Sequence, residues 1–286
     1  MSAEARHRFE REAAVLSGLD HPALCTIYDA GDADGVPYIA MRYVTGTTLA
    51  RLLFAAHESD DARRRYLRFP TPTEVTMATG ASFSTRGDKR INAVLELIER
   101  VARALHHAHL LGIVHRDIKP ANIMISDQGE PVVLDFGLAH VEVGADSGLT
   151  QTNDVLGTPA YMSPEQIQPH SKSIDARTDI HSLGVCLYES LTLERPHTGP
   201  TQVEVMRAII EDSMISVRRR NPEISKDIET VVAKAMERDI ARRYLNRYFT
   251  GPRSTAESEA TLQACAARYF NARHKAGRHV IGALSF

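Results

Sequence analysis

The sequence predicts an α+β fold with two unequal lobes, a few strands first and many helices after. Three features carry that expectation. Two short β-rich runs lie early in the chain, a long amphipathic helix follows from Ile91, and the second half is dominated by helical patterns. With 286 residues, 43% of them apolar and 24% charged, the chain can build a substantial core, either as one large domain or as two lobes sharing a cleft. The formal net charge of −2 gives no global reason to expect nucleic acid or an anionic membrane as partner. Cys25, Cys186 and Cys265 are widely spaced and odd in number, which suits a reducing compartment better than a disulfide framework. No apolar run approaches the ~18 residues of a membrane span, and the acidic, arginine-rich start is unlike a signal peptide. The expected location is cytoplasmic.

The elements follow in order. The stretch "AEARHRFEREAAVLSGL" reads as a helix with Phe9, Ala13 and Leu16 on one face and Gly18 near its end. "LCTIYDAG" and "PYIAMRYV" read as strands, joined by "DADGV" into a hairpin. "TTLARLLFAA" opens another helix. Residues 57–90 then lose the apolar period: a mixed charge run is followed by seven Ser or Thr within 71–85, as expected of a loop-like insertion. Ile91, Val94, Leu95, Ile98, Val101, Ala102 and Leu105 restore steps of three and four, a helix with one face on a core. His106, His107 and His109 at its end point to different faces and have no adjacent acidic or cysteine partner, so the pattern argues against a metal site. "IDARTDIHSLGVCLYESLT", "QVEVMRAIIED" and "KDIETVVAKAMER" are helical by pattern. From Arg242 onward eight Lys or Arg face two Glu with weak periodicity, a divergent basic tail.

The chemistry concentrates in "HRDIKPANIMI", where Asp117, Lys119 and Asn122 share one short loop before an apolar strand. A carboxylate, an ammonium and an amide are costly to bury together unless something charged is handled there. "VVLDFGLAH" ends a second apolar run with another carboxylate, Asp135. Phosphoryl transfer from a nucleotide needs metal ions on the phosphates and a base for the incoming hydroxyl. Asn122 and Asp135 are oxygen ligands of the kind Mg²⁺ prefers, Asp117 can accept a hydroxyl proton, and Lys119 can stabilise charge on the moving group.

At these residues the chain resembles the protein kinase family, in the form of the eukaryotic-like serine/threonine kinases of bacteria. "HRDIKPAN" resembles the catalytic loop, which implies Asp117 as catalytic base and Asn122 as a metal ligand. Lys119 is the form that implies Ser or Thr hydroxyls of proteins as acceptors. "DFG" (Asp135 to Gly137) resembles the metal-binding turn. "GTPAYMSPE" resembles the end of the activation segment, with Thr158 near the base. The resemblance further implies that Glu165 pairs with Arg243 and that Asp179 braces the catalytic loop. His181 departs from the pattern, standing where the family usually has a larger aromatic residue. Arg116 implies a receiver for a phosphorylated threonine, with Thr150 and Thr152 as acceptors.

Upstream, "FEREAAVLSGLDHP" resembles the regulatory helix, with Glu12 as its ion-pairing glutamate. "YIAMRYV" resembles the strand before the hinge. Met41 is then the gatekeeper, the backbones of Arg42 and Val44 hold adenine, and Met124 lines the nucleotide site. ATP and Mg²⁺ are the implied cofactors. The resemblance runs from about residue 8 to 245 and divides the chain into a partial small lobe at 1–44, a large lobe at 45–245 with the 57–90 insertion, and the 246–286 tail. The first glycine is Gly18 and the first lysine Lys89, so the family's glycine-rich loop and strand lysine have no counterpart before Glu12. The expected function is a serine/threonine protein kinase with weak nucleotide binding. The alternative is a pseudokinase-like binding module or an inactive kinase fragment.

Overall fold

The computed structural model describes residues 18–33, 36–58, 86–136, 159–168 and 174–244. Glu12, Gly137, Thr150, Thr152, Thr158 and the 246–286 tail lie outside these residues.

Strands β1 (Ile27–Ala33) and β2 (Val36–Met41) pair antiparallel, with Ala33 opposite Val36 and Ile27 opposite Met41. This is the expected hairpin. It forms a sheet of its own, and Tyr28, Val36 and Tyr38 stand exposed on it.

A second sheet has the order β3-β4-β5, built from Gly46–Thr48, Ile123–Ser126 and Pro131–Val133, all antiparallel. Its first strand was not evident in the sequence, which read the same stretch as the start of a helix. Gly46 explains part of it. Its φ of 141° is open to glycine, and a Cβ there would lie 2.0 Å from the Ile125 carbonyl oxygen across the ladder. Helix α1 (Leu49–Glu58) follows directly.

Helix α2 (Arg86–Leu110) starts five residues before Ile91, so residues 86–90, expected to belong to the loop-like insertion, are helical. Its buried face includes Ile91, Val94, Leu95, Ile98, Val101 and Leu105, the period anticipated from the sequence. Beyond the short α3 (Pro164–Ile167), helix α4 (Arg177–Thr192) runs through the core, with Leu183, Val185, Cys186, Leu187 and Leu191 almost fully buried. The helix is buried on nearly all sides, polar residues such as Asp179 and Ser182 included, and α4 packs between α2 and α7 (Lys226–Ala235). Gly184 permits the second contact, since a Cβ there would meet Ala235 Cβ and Met236 Cγ at 2.9 Å. Helices α5 (Gln202–Glu211) and α6 (Val217–Arg220) complete the helical layer. Among the described residues no helix is long and apolar enough to cross a membrane.

Two backbone bonds tie the segment before β1 to β5: Cys25 N–H donates to the Val133 carbonyl and Val133 N–H to the Ala23 carbonyl, both at 2.9 Å. The strand that ends at the second acidic loop is thereby fixed from above as well as by its own sheet.

Candidate active site

The loop from His115 to Asn122 joins α2 to β4, and the turn at Asp135 follows β5. The antiparallel β4–β5 pairing therefore brings the two acidic loops together. Leu134 N–H donates to the Asn122 carbonyl at 2.8 Å, and His115 Nε2 to the Leu134 carbonyl at 2.8 Å. The neutral imidazole with its proton on Nε2 satisfies both ring nitrogens, because Asp117 N–H donates to His115 Nδ1 at 3.3 Å. Burial lowers the His115 pKa, which keeps this neutral form. The Phe136 ring packs on the same imidazole, with centroids 4.6 Å apart.

Within the loop, Lys119 Nζ lies 2.7 Å from Asp117 Oδ2, and Asn122 Nδ2 lies 3.0 Å from that same oxygen. Asn122 Nδ2 also donates to the Asp117 carbonyl at 2.9 Å. Its amide nitrogen is thus committed inward, and its oxygen is the atom suited to a cation. The Asp117 and Lys119 side chains are 35% and 20% exposed, so the ion pair is reachable from solvent, while His115, Ile118 and Asn122 of the same loop are buried. Asp135 is exposed.

Two residues here take left-handed backbone conformations, Arg116 with φ 67° and Asp135 with φ 54°. Each costs about 1–2 kcal/mol for a residue with a side chain, so the surroundings must hold them. For Arg116 the holder is Asp179, fully buried on α4. Its Oδ1 accepts from Arg116 N–H and its Oδ2 from His115 N–H, both at 2.8 Å. His109 Nε2 lies 2.7 Å from Oδ2 and completes the set. Burial would raise the Asp179 carboxyl, but the His109 hydrogen bond and the neighbouring imidazoles and amides hold it below its ordinary value. His109 escaped the sequence reading, which found no acidic partner near the three histidines; that partner sits 70 positions away.

Glu165 on α3 and Arg243 meet in a second buried cluster, with Nη1–Oε1 at 2.6 Å and Nη2–Oε2 at 2.8 Å. The remaining Arg243 donors reach the carbonyls of Glu237 (2.6 Å), Arg177 (3.2 Å) and Arg238 (3.2 Å), so all five guanidinium N–H groups have acceptors. Thr178 Oγ1 adds a bond to Glu165 Oε1 at 2.8 Å. Burial opposes the charge on Glu165, yet Arg243 and Thr178 bring its pKa down to about 2.

On the hinge side, Met41 ends β2, Val44 lies half-buried between β2 and β3, and Met124 sits on β4 opposite Thr48 and Val132. At Arg42 part of the backbone is already committed. Its backbone N–H is taken by the Thr26 carbonyl at 2.8 Å, and its carbonyl already accepts the Cys25 thiol at 3.4 Å. Only the second lone pair of that carbonyl remains for a ligand. The Arg42 side chain turns back to donate to the Pro22 and Leu24 carbonyls, each at 3.2 Å. The Arg116 side chain is exposed, and no ion pair to it occurs among the described residues.

Comparison with known proteins identifies the family. The protein kinase domain family matches residues 1–246. The serine/threonine-protein kinase PknB of Mycobacterium tuberculosis is 36% identical over 241 residues, covering 83% of this chain and 33% of the relative. PrkC of Bacillus subtilis, also named a serine/threonine-protein kinase, is 34% identical over 237 residues, covering 83% and 31%. The crystal structure of the Mycobacterium tuberculosis PknI kinase domain shares the fold, with a TM-score of 0.58 at 22% identity over 94% of this chain and 79% of that one. The chain belongs to the protein kinase family, within its bacterial eukaryotic-like serine/threonine group. It spans about a third of the length of these curated relatives. Kinases of this family in general use ATP and Mg²⁺ and act on proteins.

Proposed function

We propose that the protein transfers the γ-phosphoryl group of ATP to Ser or Thr hydroxyls of other proteins, in signalling within the cytoplasm. The observation that carries the reading is the convergence of Lys119 Nζ and Asn122 Nδ2 on one oxygen of Asp117, at 2.7 and 3.0 Å. Asp117 takes the proton of the incoming hydroxyl and orients it. Lys119, free to exchange its partner for a phosphate oxygen, stabilises charge on the group in transit. Asn122, through its amide oxygen, and Asp135 would hold Mg²⁺, whose contribution when bound is to neutralise the phosphates. The Arg42 carbonyl, Val44, Met41 and Met124 would surround the adenine. We read Thr150 and Thr152 as the sites whose phosphorylation Arg116 receives. Residues 1–44 would serve as small lobe and 45–245 as large lobe.

The test is Asp117→Asn in the full chain, read as transfer of labelled phosphate from ATP to a basic protein rich in Ser and Thr. The expected loss is about 10²- to 10⁴-fold, the usual worth of a positioned general base. Thermal stability should stay near that of the unsubstituted protein, because the amide keeps the size and most hydrogen bonds. A folded protein whose transfer ignores this substitution overturns the reading and leaves a binding module in its place.

A further inference from the structure

The Arg116–Asp117 peptide unit aims the carboxylate of Asp117, and both of its polar ends are held. Its N–H, that of Asp117, donates to His115 Nδ1 at 3.3 Å. Its carbonyl, that of Arg116, accepts from Gln166 Nε2 at 2.6 Å, a contact spanning 50 positions. Gln166 is the third residue of α3, next to Glu165, whose carboxylate is locked by Arg243. Its other amide atom is spoken for as well. Gln166 Oε1 accepts from Ser163 N–H at 3.0 Å and from Ser163 Oγ at 3.1 Å, half of a capping box. Two donors on one side and a carbonyl on the other fix which atom of the amide is which.

We infer that Gln166 is a positioning residue for phosphoryl transfer: its amide clamps the Arg116 carbonyl and so couples the end of the activation segment to the orientation of Asp117. Arg116 is left-handed at φ 67°, and Asp179 grips only its N–H, at 2.8 Å. With the Arg116 N–H gripped, rocking of the following peptide plane about ψ, which would swing the Asp117 side chain, is resisted by the 3.3 Å bond from Asp117 N–H to His115 Nδ1. The 2.6 Å Gln166 bond is the second and shorter restraint on that plane. Because α3 is short and tethered to the core by Glu165, any rearrangement that shifts α3 releases the clamp. The inference rests on the phosphoryl-transfer reading of Asp117.

Capping and clamping can be separated by substitution. Gln166→Glu keeps an acceptor for Ser163, as Glu does in capping boxes generally, but presents an oxygen without a proton to the Arg116 carbonyl. Gln166→Met removes both contacts at similar length. In the full chain, Gln166→Glu should unfold at nearly the unsubstituted temperature while kcat falls about tenfold, with KM for ATP changed by less than about twofold. Amide exchange of the 115–119 segment should quicken in both variants, while exchange across α4 stays as it is. Gln166→Met should add a loss of thermal stability. Unchanged kcat together with unchanged 115–119 exchange in Gln166→Glu overturns the inference. So does a loss confined to Gln166→Met, which would make Gln166 a helix cap only. If the unsubstituted chain shows no Asp117-dependent transfer, the functional reading itself fails. If it transfers phosphate and Gln166→Glu matches it in rate and exchange, this inference alone fails.

Discussion

The framework under the His115–Asn122 loop and the β1–β2 hairpin both hold themselves together with hydrogen bonds, but water reaches them very differently. Asp179 is fully buried and accepts from three groups drawn from α2 and the loop itself. Glu165 and Arg243 are 7% and 2% exposed and share a saturated network. In the hairpin, Tyr38 donates to Asp29 at 2.7 Å, but that bond is exposed, and Tyr28 and Val36 are 67% and 65% open to solvent. A polar group that loses its partner in the framework is stranded, whereas in the hairpin water replaces it. The buried framework therefore resists the loss of a partner less well than the hairpin does, while a two-stranded sheet is marginal without further packing.

The largest effect expected from this contrast is at Arg243. Replacement by Met takes the guanidinium and its two hydrogen bonds from the buried Glu165 carboxylate, which should cost about 3–5 kcal/mol in urea unfolding. Adding Glu165→Leu should recover part of the loss, because no charge is then left buried, while the Glu237, Arg177 and Arg238 carbonyls still lack the guanidinium donors. A single substitution costing under about 1 kcal/mol would mean that the cluster is wetter than its geometry, and the contrast between the two regions would break.

The sequence made the chemistry legible where partners are close along the chain. Asp117, Lys119 and Asn122 lie within six positions and meet as their spacing suggested. The long helical periods were equally readable, since burial of one face imposes them. What stayed hidden was set by contacts between distant segments. His109 to Asp179 spans 70 positions, Gln166 to Arg116 spans 50, and Arg42 turns back onto Pro22 and Leu24. Each is a polar side chain at an unremarkable place in its own element. The left-handed turn at Arg116 was hidden for a related reason, because arginine does not signal that conformation, whereas aspartate, as at Asp135, is among the side chains that tolerate it better. Gly46 did carry a signal, but only the close approach of the Ile125 carbonyl explains it.

Acid should find the framework next, through its histidines. His181 is 2% exposed and its Nδ1 lacks a hydrogen-bond partner among the described residues. Burial first, and then repulsion from Arg243, push its pKa down to about 3. The unfolded chain therefore binds a proton at this residue below the ordinary histidine value of 6.5, while the folded chain stays neutral until about 3. Stability falls as pH drops through that window, by about 1.4 kcal/mol per pH unit for this group. His115, also lowered by burial, adds to the loss with the same sign. Asp179 and Glu165, whose pKa values are depressed, contribute only once the pH passes below the ordinary carboxylate range. In urea titrations at a series of pH values, His181→Phe should flatten the upper part of the acid limb and leave the lower part. A limb unchanged by that substitution would show that His181 protonates without cost.

The smallest effect is the sharpest test of the comparison, because it asks the same chemistry of both regions. Val101 on α2 is 0% exposed and Val36 on β2 is 65% exposed. Valine to threonine conserves the branched shape and exchanges a methyl for a hydroxyl, so packing volume is nearly constant and only the fate of one polar group differs. At Val101 the hydroxyl enters the core formed with Ile98 and Leu105, and its desolvation should cost about 1–3 kcal/mol. A bond back to a carbonyl one turn earlier in the helix can offset part of this, which favours the lower end. At Val36 the hydroxyl faces water in a strand position that suits threonine, and the change should stay within about 0.5 kcal/mol. Urea unfolding of the two variants measures the difference directly. A cost at Val36 matching that at Val101 would mean that the open face of the hairpin is covered in the folded protein. The hairpin would then belong with the framework and not apart from it.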